Sequence, residues 1–176
     1  MDTRREQAPA VPGLGRYRID TRISTVTFAT RHLFGLLPVR GGFAVRSGTV
    51  DVTEPLAESR VHVEIEAASF STGNEQRDRN VRSARFLDAG RFPVLTFSSG
   101  RVGSTSVGGT LTAHGVSRPV TLAVERSAVS PEAFTVRATT RLDRTEFGVT
   151  GSRGMTGRLL DVTVEITCAR VGGAGG

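Results

Sequence analysis

"RVHVEIEAASFSTGNEQRDRNVRSARFLDAGRFPVLTF", residues 60–97, sets two runs of period two on either side of an arginine-rich stretch. In the first run Val61, Val63 and Ile65 alternate with His62, Glu64 and Glu66, which makes one face apolar and the other polar. The last run places Leu95 and Phe97 on one face. Between them "NEQRDRNVRSARF" contains neither Pro nor Gly, and Thr72 followed three residues later by Glu75 matches a capping box. The spacing predicts a helix over about residues 73–86. Its apolar stripe is thin: Val81, with Ala84 and Phe86 as further candidates for an inner face. Such a helix cannot be a core element, so it is expected to lie across an end of a β structure.

The same alternation runs outward from this stretch in both directions. "STVTFATRH" (24–32) points Val26 and Phe28 one way, and His32 shares their parity. "PVRGGFAVRSGTVDV" (38–52) carries Phe43 and Val45, and its Gly41-Gly42 pair predicts a bulge or sharp bend. "SVGGTLTAHG" and "RPVTLAVERS" contribute Leu111 and a following strand, with the turn expected at "GVS" and Pro119. "AFTVRATTRL" supplies Phe134 and Val136, and "LLDVTVEITCAR" puts Val162, Val164, Ile166 and Cys168 on one side. Eight short strands, each with one apolar face, read as an all-β antiparallel sheet wrapped around one interior, and eight strands can close into a barrel.

The 176 residues fit one domain, large enough to bury a core without disulfide or metal. The chain divides into a Pro- and Gly-containing leader expected to be disordered (1–16), a β domain (17–170) and a flexible tail (171–176). The leader carries no apolar core of a secretory signal, and a cytoplasmic location is expected. A single Cys excludes an intrachain disulfide framework. All 23 basic residues are Arg, which excludes a P-loop or Schiff-base lysine. The net charge of +6 favours anionic partners, either nucleic acid or acidic lipid head groups. Aromatics at 6% with no Trp offer little for base stacking, which weighs against a nucleic-acid-binding barrel, the alternative reading. His32, His62 and His114 have no ligand-like spacing, and neither a nucleophile elbow nor a dinucleotide fingerprint is present. Catalysis, a cofactor and a metal are therefore not expected.

Four segments, in order, resemble the YceI-like family of lipocalin-like, polyisoprenoid-binding proteins. "RDRNVRSARFLDAGRFPVLTF" resembles the family's RD-x-x-(L/V)-R-S-x-x-F run, and "YRIDTRISTVTFATRHLFG" its opening strand. "GTLTAHGVSRPVTLAV" resembles its central hairpin and "RLDRTEFGV" its R-x-x-F-G corner. The likeness spans about Tyr17 to Ala169. It implies an extended eight-stranded antiparallel barrel with a helix at its mouth, an apolar interior holding a long isoprenoid such as a quinone tail or a related lipid, non-catalytic binding, storage or transport, and frequent homodimers. Many members are exported to the periplasm; this chain differs in its leader.

The expected ligand-binding residues are Val26, Phe28, Phe43, Val45, Val63 and Ile65 from the first strands, and Leu95, Phe97, Leu111 and Val136 from the later ones. Phe86 of the helix and His32, near a head group at the barrel end, complete the set. A bore of this kind gains roughly 0.8 kcal/mol per buried methylene, so selectivity is expected from its length and width, not from hydrogen bonds. Arg77, Arg79, Arg82 and Arg85 form a patch that could dock on an anionic membrane. One of the adjacent Arg77 and Asp78 is expected to anchor the helix, with Arg144 serving similarly at the opposite corner.

Overall fold

A computed structural model describes residues 8–30, 39–151 and 157–172. Ten strand segments follow one another: β1 (Gly15–Ile19), β2 (Thr25–Thr30), β3 (Val39–Phe43), β4 (Val45–Val52), β5 (Arg60–Glu66), β6 (Val94–Val102), β7 (Ser106–Ala113), β8 (Val116–Val129), β9 (Ala133–Asp143) and β10 (Leu159–Arg170). They nevertheless make an eight-stranded barrel. The order β1-β4-β5-β6-β7-β8-β9-β10 closes when β10 pairs back onto β1, and every pairing is antiparallel.

The extra two segments arise because two of the eight staves are broken. β1 pairs with Cys168–Arg170 of β10, and β2 takes over along Leu160–Glu165 of the same strand. Their neighbours follow suit, β4 beside β1 and β3 beside β2. Ser24, at the jog between β1 and β2, is buried and accepts a hydrogen bond from the Thr167 amide at 3.0 Å. The second break falls at Ala44, and an irregular register follows between Val45 and Ser47.

That break lies beyond the Gly41-Gly42 pair, which corrects the bend expected there. Both glycines stay paired with β2, and Gly42 exchanges amide hydrogen bonds with Ser71 at 2.9 and 3.0 Å. A Cβ on Gly41 would lie 2.5 Å from the Ser71 carbonyl oxygen and 2.7 Å from the Phe28 ring. The glycine is there so that another backbone can approach, not so that the strand can turn. The β7–β8 turn is also earlier than expected. It consists of His114 and Gly115, both at positive φ, the two-residue hairpin geometry that suits the twist of the strands. Pro119 sits inside β8, where that strand has β7 on one side and has not yet begun to pair with β9. Its missing N–H therefore costs no ladder bond.

The helix is shorter than its composition suggests. α1 spans Glu75–Arg82, against the expected 73–86. Its cap is Asn74, whose side chain accepts from the Arg77 amide at 2.9 Å; Thr72 is engaged elsewhere, so the Thr72–Glu75 capping box does not form. Ser83 turns extended and ends the helix, and turns carry the chain through residues 83–92. Ala84 is exposed, leaving Val81, Phe86 and Leu87 as the inward side of this segment.

One end of the barrel is packed solid. Tyr17 and Cys168 are fully buried there, with Ile19, Val52 and Phe134, and the Tyr17 and Phe134 rings meet edge to face at 4.8 Å. The Arg170 guanidinium lies 4.8 Å over the Tyr17 ring and donates to its hydroxyl at 2.8 Å; the Tyr17 O–H donates in turn to the Gly13 carbonyl. Contacts with the barrel extend ahead of Tyr17: the Ala10, Gly13 and Leu14 carbonyls all accept hydrogen bonds from the domain.

Candidate functional site: an apolar cavity with an arginine rim

The other half of the barrel is hollow. A cavity of about 280 Å³ lies between the inward faces of the strands and the α1 segment. It exists because alternating positions on each strand must point inward, while the α1 segment, Phe147 and Val149 cover the end instead of filling it. Val61, Val63 and Ile65 line it from β5, and Leu95 and Phe97 from β6. Leu122, Leu142, Val162, Val164 and Ile166 line it from β8, β9 and β10. Phe28, Phe43 and Phe70 form one aromatic wall, with Phe28 stacked on Phe70 at 5.3 Å and Phe43 edge-on to Phe70 at 5.5 Å.

Nine of the twelve expected ligand residues are on this lining: Val26, Phe28, Phe43, Val63, Ile65, Phe86, Leu95, Phe97 and Leu111. Val45 and Val136 are not. Both point inward but pack in the core away from the cavity, because period two reports the inward face and not the height along the bore. His32 lies outside the described residues. Phe70, Phe147 and Val149 also line the cavity and carry no signal in the sequence, since they sit outside the strands, where no periodicity marks them.

The bore is also not wholly apolar. Arg77 and Arg144 stand on its lining with Thr30, Thr72 and Thr140, and no carboxylate joins them among the described residues. Arg144 is held rigidly: its Nε donates to the Gly157 carbonyl at 3.0 Å and its Nη1 to the Val149 carbonyl at 2.6 Å. Burial lowers its pKa, opposed by the nearby Asp143 carboxylate. Arg77 Nε donates to Thr72 Oγ1 at 2.8 Å.

Asp78 is the buried anchor of the helix, only 4% exposed. Both its carboxylate oxygens accept from the Thr72 amide at 3.0 Å, and Oδ1 accepts from the Thr72 hydroxyl at 2.6 Å. Burial alone would raise its pKa; the Thr72 hydrogen bonds and the charges of Arg82 and Arg77 outweigh that and hold it below the usual carboxylate range. Arg82 spends Nε and Nη2 on the Phe70 carbonyl. Asp143 mirrors the arrangement at the opposite corner. Burial acts upward on its carboxyl, and Thr145 hydrogen bonds with the charges of Arg158 and Arg144 bring it down.

No group of three or more His, Cys, Asp or Glu side chains among the described residues is placed to hold a metal ion. Cys168 is buried at the packed end, and desolvation pushes its thiol up to about 12, so it is inert in the fold.

A closed eight-stranded barrel, plugged at one end and hollow and apolar at the other, is a lipocalin-like architecture. The chain belongs to the YceI-like domain family, whose model matches residues 17–169. It is 31% identical over 154 residues to a UPF0312 protein of Vibrio vulnificus (strain YJ016), covering 80% of this chain and 81% of the relative. A UPF0312 protein of Pseudomonas putida (strain GB-1) is 32% identical over 164 residues, covering 85% and 84%. Among solved structures, BcnA of Burkholderia cenocepacia matches with a TM-score of 0.72 at 21% identity, covering 85% of this chain and 98% of that one. A polyisoprenoid binding domain from Saccharophagus degradans implicated in plant cell wall breakdown matches at 0.71 and 15% identity, covering 90% and 100%. At these identities the structural likeness concerns the fold.

Proposed function

We propose that this protein binds the hydrocarbon tail of an isoprenoid or a comparable amphiphilic lipid in its barrel, as a non-catalytic carrier or store. The observation that carries the reading is the cavity itself, lined mainly by aliphatic and aromatic side chains and sealed at one end by Tyr17, Phe134 and Cys168. Its 280 Å³ is about twice an engineered cavity of ~150 Å³ that holds benzene, so it accepts on the order of a dozen carbon atoms. At roughly 0.8 kcal/mol per methylene, that burial contributes about 8–10 kcal/mol before ordering costs, enough for micromolar binding at best. A longer tail would run out through the mouth, where Val81, Phe86 and Leu87 extend the apolar surface.

The fold shared with a polyisoprenoid binding domain supports the same ligand class. The exposed Arg79 and Arg85 beside the mouth suit loading from an anionic lipid surface. Phe28, Phe43, Phe70, Phe97, Phe134 and Phe147 are turned into the barrel, which among the described residues leaves few aromatic rings for the base stacking a nucleic-acid reading needs.

Organic extraction of the purified protein followed by mass spectrometry tests the proposal. About one long-chain lipid per barrel is expected. Protein that carries none and binds none when offered, while still giving a cooperative melt, would refute it.

A further inference from the structure

Four arginines among the described residues stand in two clusters, Arg77 and Arg82 around Asp78 and Arg144 and Arg158 around Asp143, and they are not used alike. Arg82 gives its guanidinium to the Phe70 carbonyl and Arg144 to those of Gly157 and Val149. Arg158 pairs with Asp143 at 3.2 Å. Arg77 and Arg158 each spend only their Nε, but Arg158 stands off the lining, whereas Arg77 lines the cavity with two terminal nitrogens that donate to no group among the described residues. Asp78 is occupied by Thr72 and lies off the lining. Two aspartates, Asp78 and Asp143, thus stand against Arg77, Arg82, Arg144 and Arg158, an excess of positive charge within these two clusters.

We infer that the cavity selects an amphiphile with an anionic head, a carboxylate or a phosphate, held by the terminal nitrogens of Arg77. This rests on the lipid-binding reading above and adds to it the chemistry of the head. A guanidinium presents two parallel donors that match the oxygens of either anion, whereas a hydroxyl or a quinone carbonyl offers one uncharged acceptor. A hydrocarbon wall behind the pair lowers the local dielectric and strengthens it, and the positive field of the rim acts in the same direction. The bore then measures the tail, and Arg77 reads the head.

Farnesol and farnesyl monophosphate share a tail and differ in the head. Their displacement of the neutral fluorophore N-phenyl-1-naphthylamine, at low ionic strength, compares them directly. Wild type is expected to bind the phosphate about tenfold more tightly than the alcohol, the gap between a charged and a neutral hydrogen bond. Arg77→Met is expected to bring that ratio to about twofold or less, with a cooperative thermal melt reporting that the barrel is folded. Arg77→Lys, gentler on the fold, is expected to give an intermediate ratio. Arg18→Met, on the exposed face of β1 at the plugged end, is expected to leave it at the wild-type value. Inorganic phosphate alone is expected not to displace the fluorophore. Equal binding of the two farnesyl compounds by wild type, or a ratio undiminished in both Arg77 variants, overturns the inference while leaving lipid binding intact. Failure of both compounds to bind overturns the lipid-binding reading itself.

Discussion

Asp78→Asn isolates what fastens the α1 segment over the cavity. The substitution keeps the shape of the side chain and removes the charge. In the wild type the carboxylate, 4% exposed, receives the Thr72 amide and hydroxyl. A hydrogen bond to a charged group is worth about 1.5–3 kcal/mol, and the neutral amide oxygen that replaces the carboxylate receives the two Thr72 donors more weakly. A loss of about 2–3 kcal/mol is expected, which in a chain of this size lowers Tm by roughly 5–10 °C at neutral pH. The pH dependence carries a sign of its own. The folded Asp78 has a depressed pKa, so its contribution is complete above the ordinary carboxylate value of ~3.9 and is lost as pH falls through the lower, folded value. The Tm gap between wild type and variant should therefore be constant from pH 7 to about 5 and should narrow below about 4. Asp143 and every other carboxylate are common to both proteins, so the difference reports Asp78 alone. Thermal melts at several pH values, with hydrogen exchange over residues 72–92, measure it. An unchanged Tm at pH 7, or a gap that widens on acidification, would refute the anchoring role.

Val162→Trp places an indole in the bore from a half-buried position on β10. Lipid recovered per barrel should fall several-fold with the melt still cooperative, and full occupancy in a folded variant would show that ligand lies elsewhere. Cys168, its thiol pushed up to about 12, should resist iodoacetamide in the native protein at pH 8 and react completely in denaturant. Native alkylation by intact-mass measurement at comparable rates would mean that the plugged end opens.

The barrel was largely legible in the residues because an antiparallel strand with one wet face writes its orientation into every second position. His62 outward and Ile65 inward follow from that alternation. The helix length was not legible: "NEQRDRNVRSARF" is tolerant of helix throughout, and only the extended turn at Ser83 stops it. The cap went to Asn74 because Thr72, the better match to the motif, is taken by Asp78, six residues on. Gly41 signalled a special position, but its reason, the carbonyl of Ser71, belongs to a segment thirty residues away.

Sequence alone determined that eight strands close around an apolar interior, that an arginine-rich helix crosses one end, and that Cys168 faces inward; each is a local periodicity or composition. Tertiary structure decided where along the bore the side chains meet and where they leave a void. Val45 and Val63 share an inward parity, yet one is packed and the other lines the cavity, since depth depends on the stagger of neighbouring strands. It also decided which arginine of a run faces the cavity with its terminal nitrogens unspent, because that depends on where the closed fold sets α1 and which carbonyls it brings within reach.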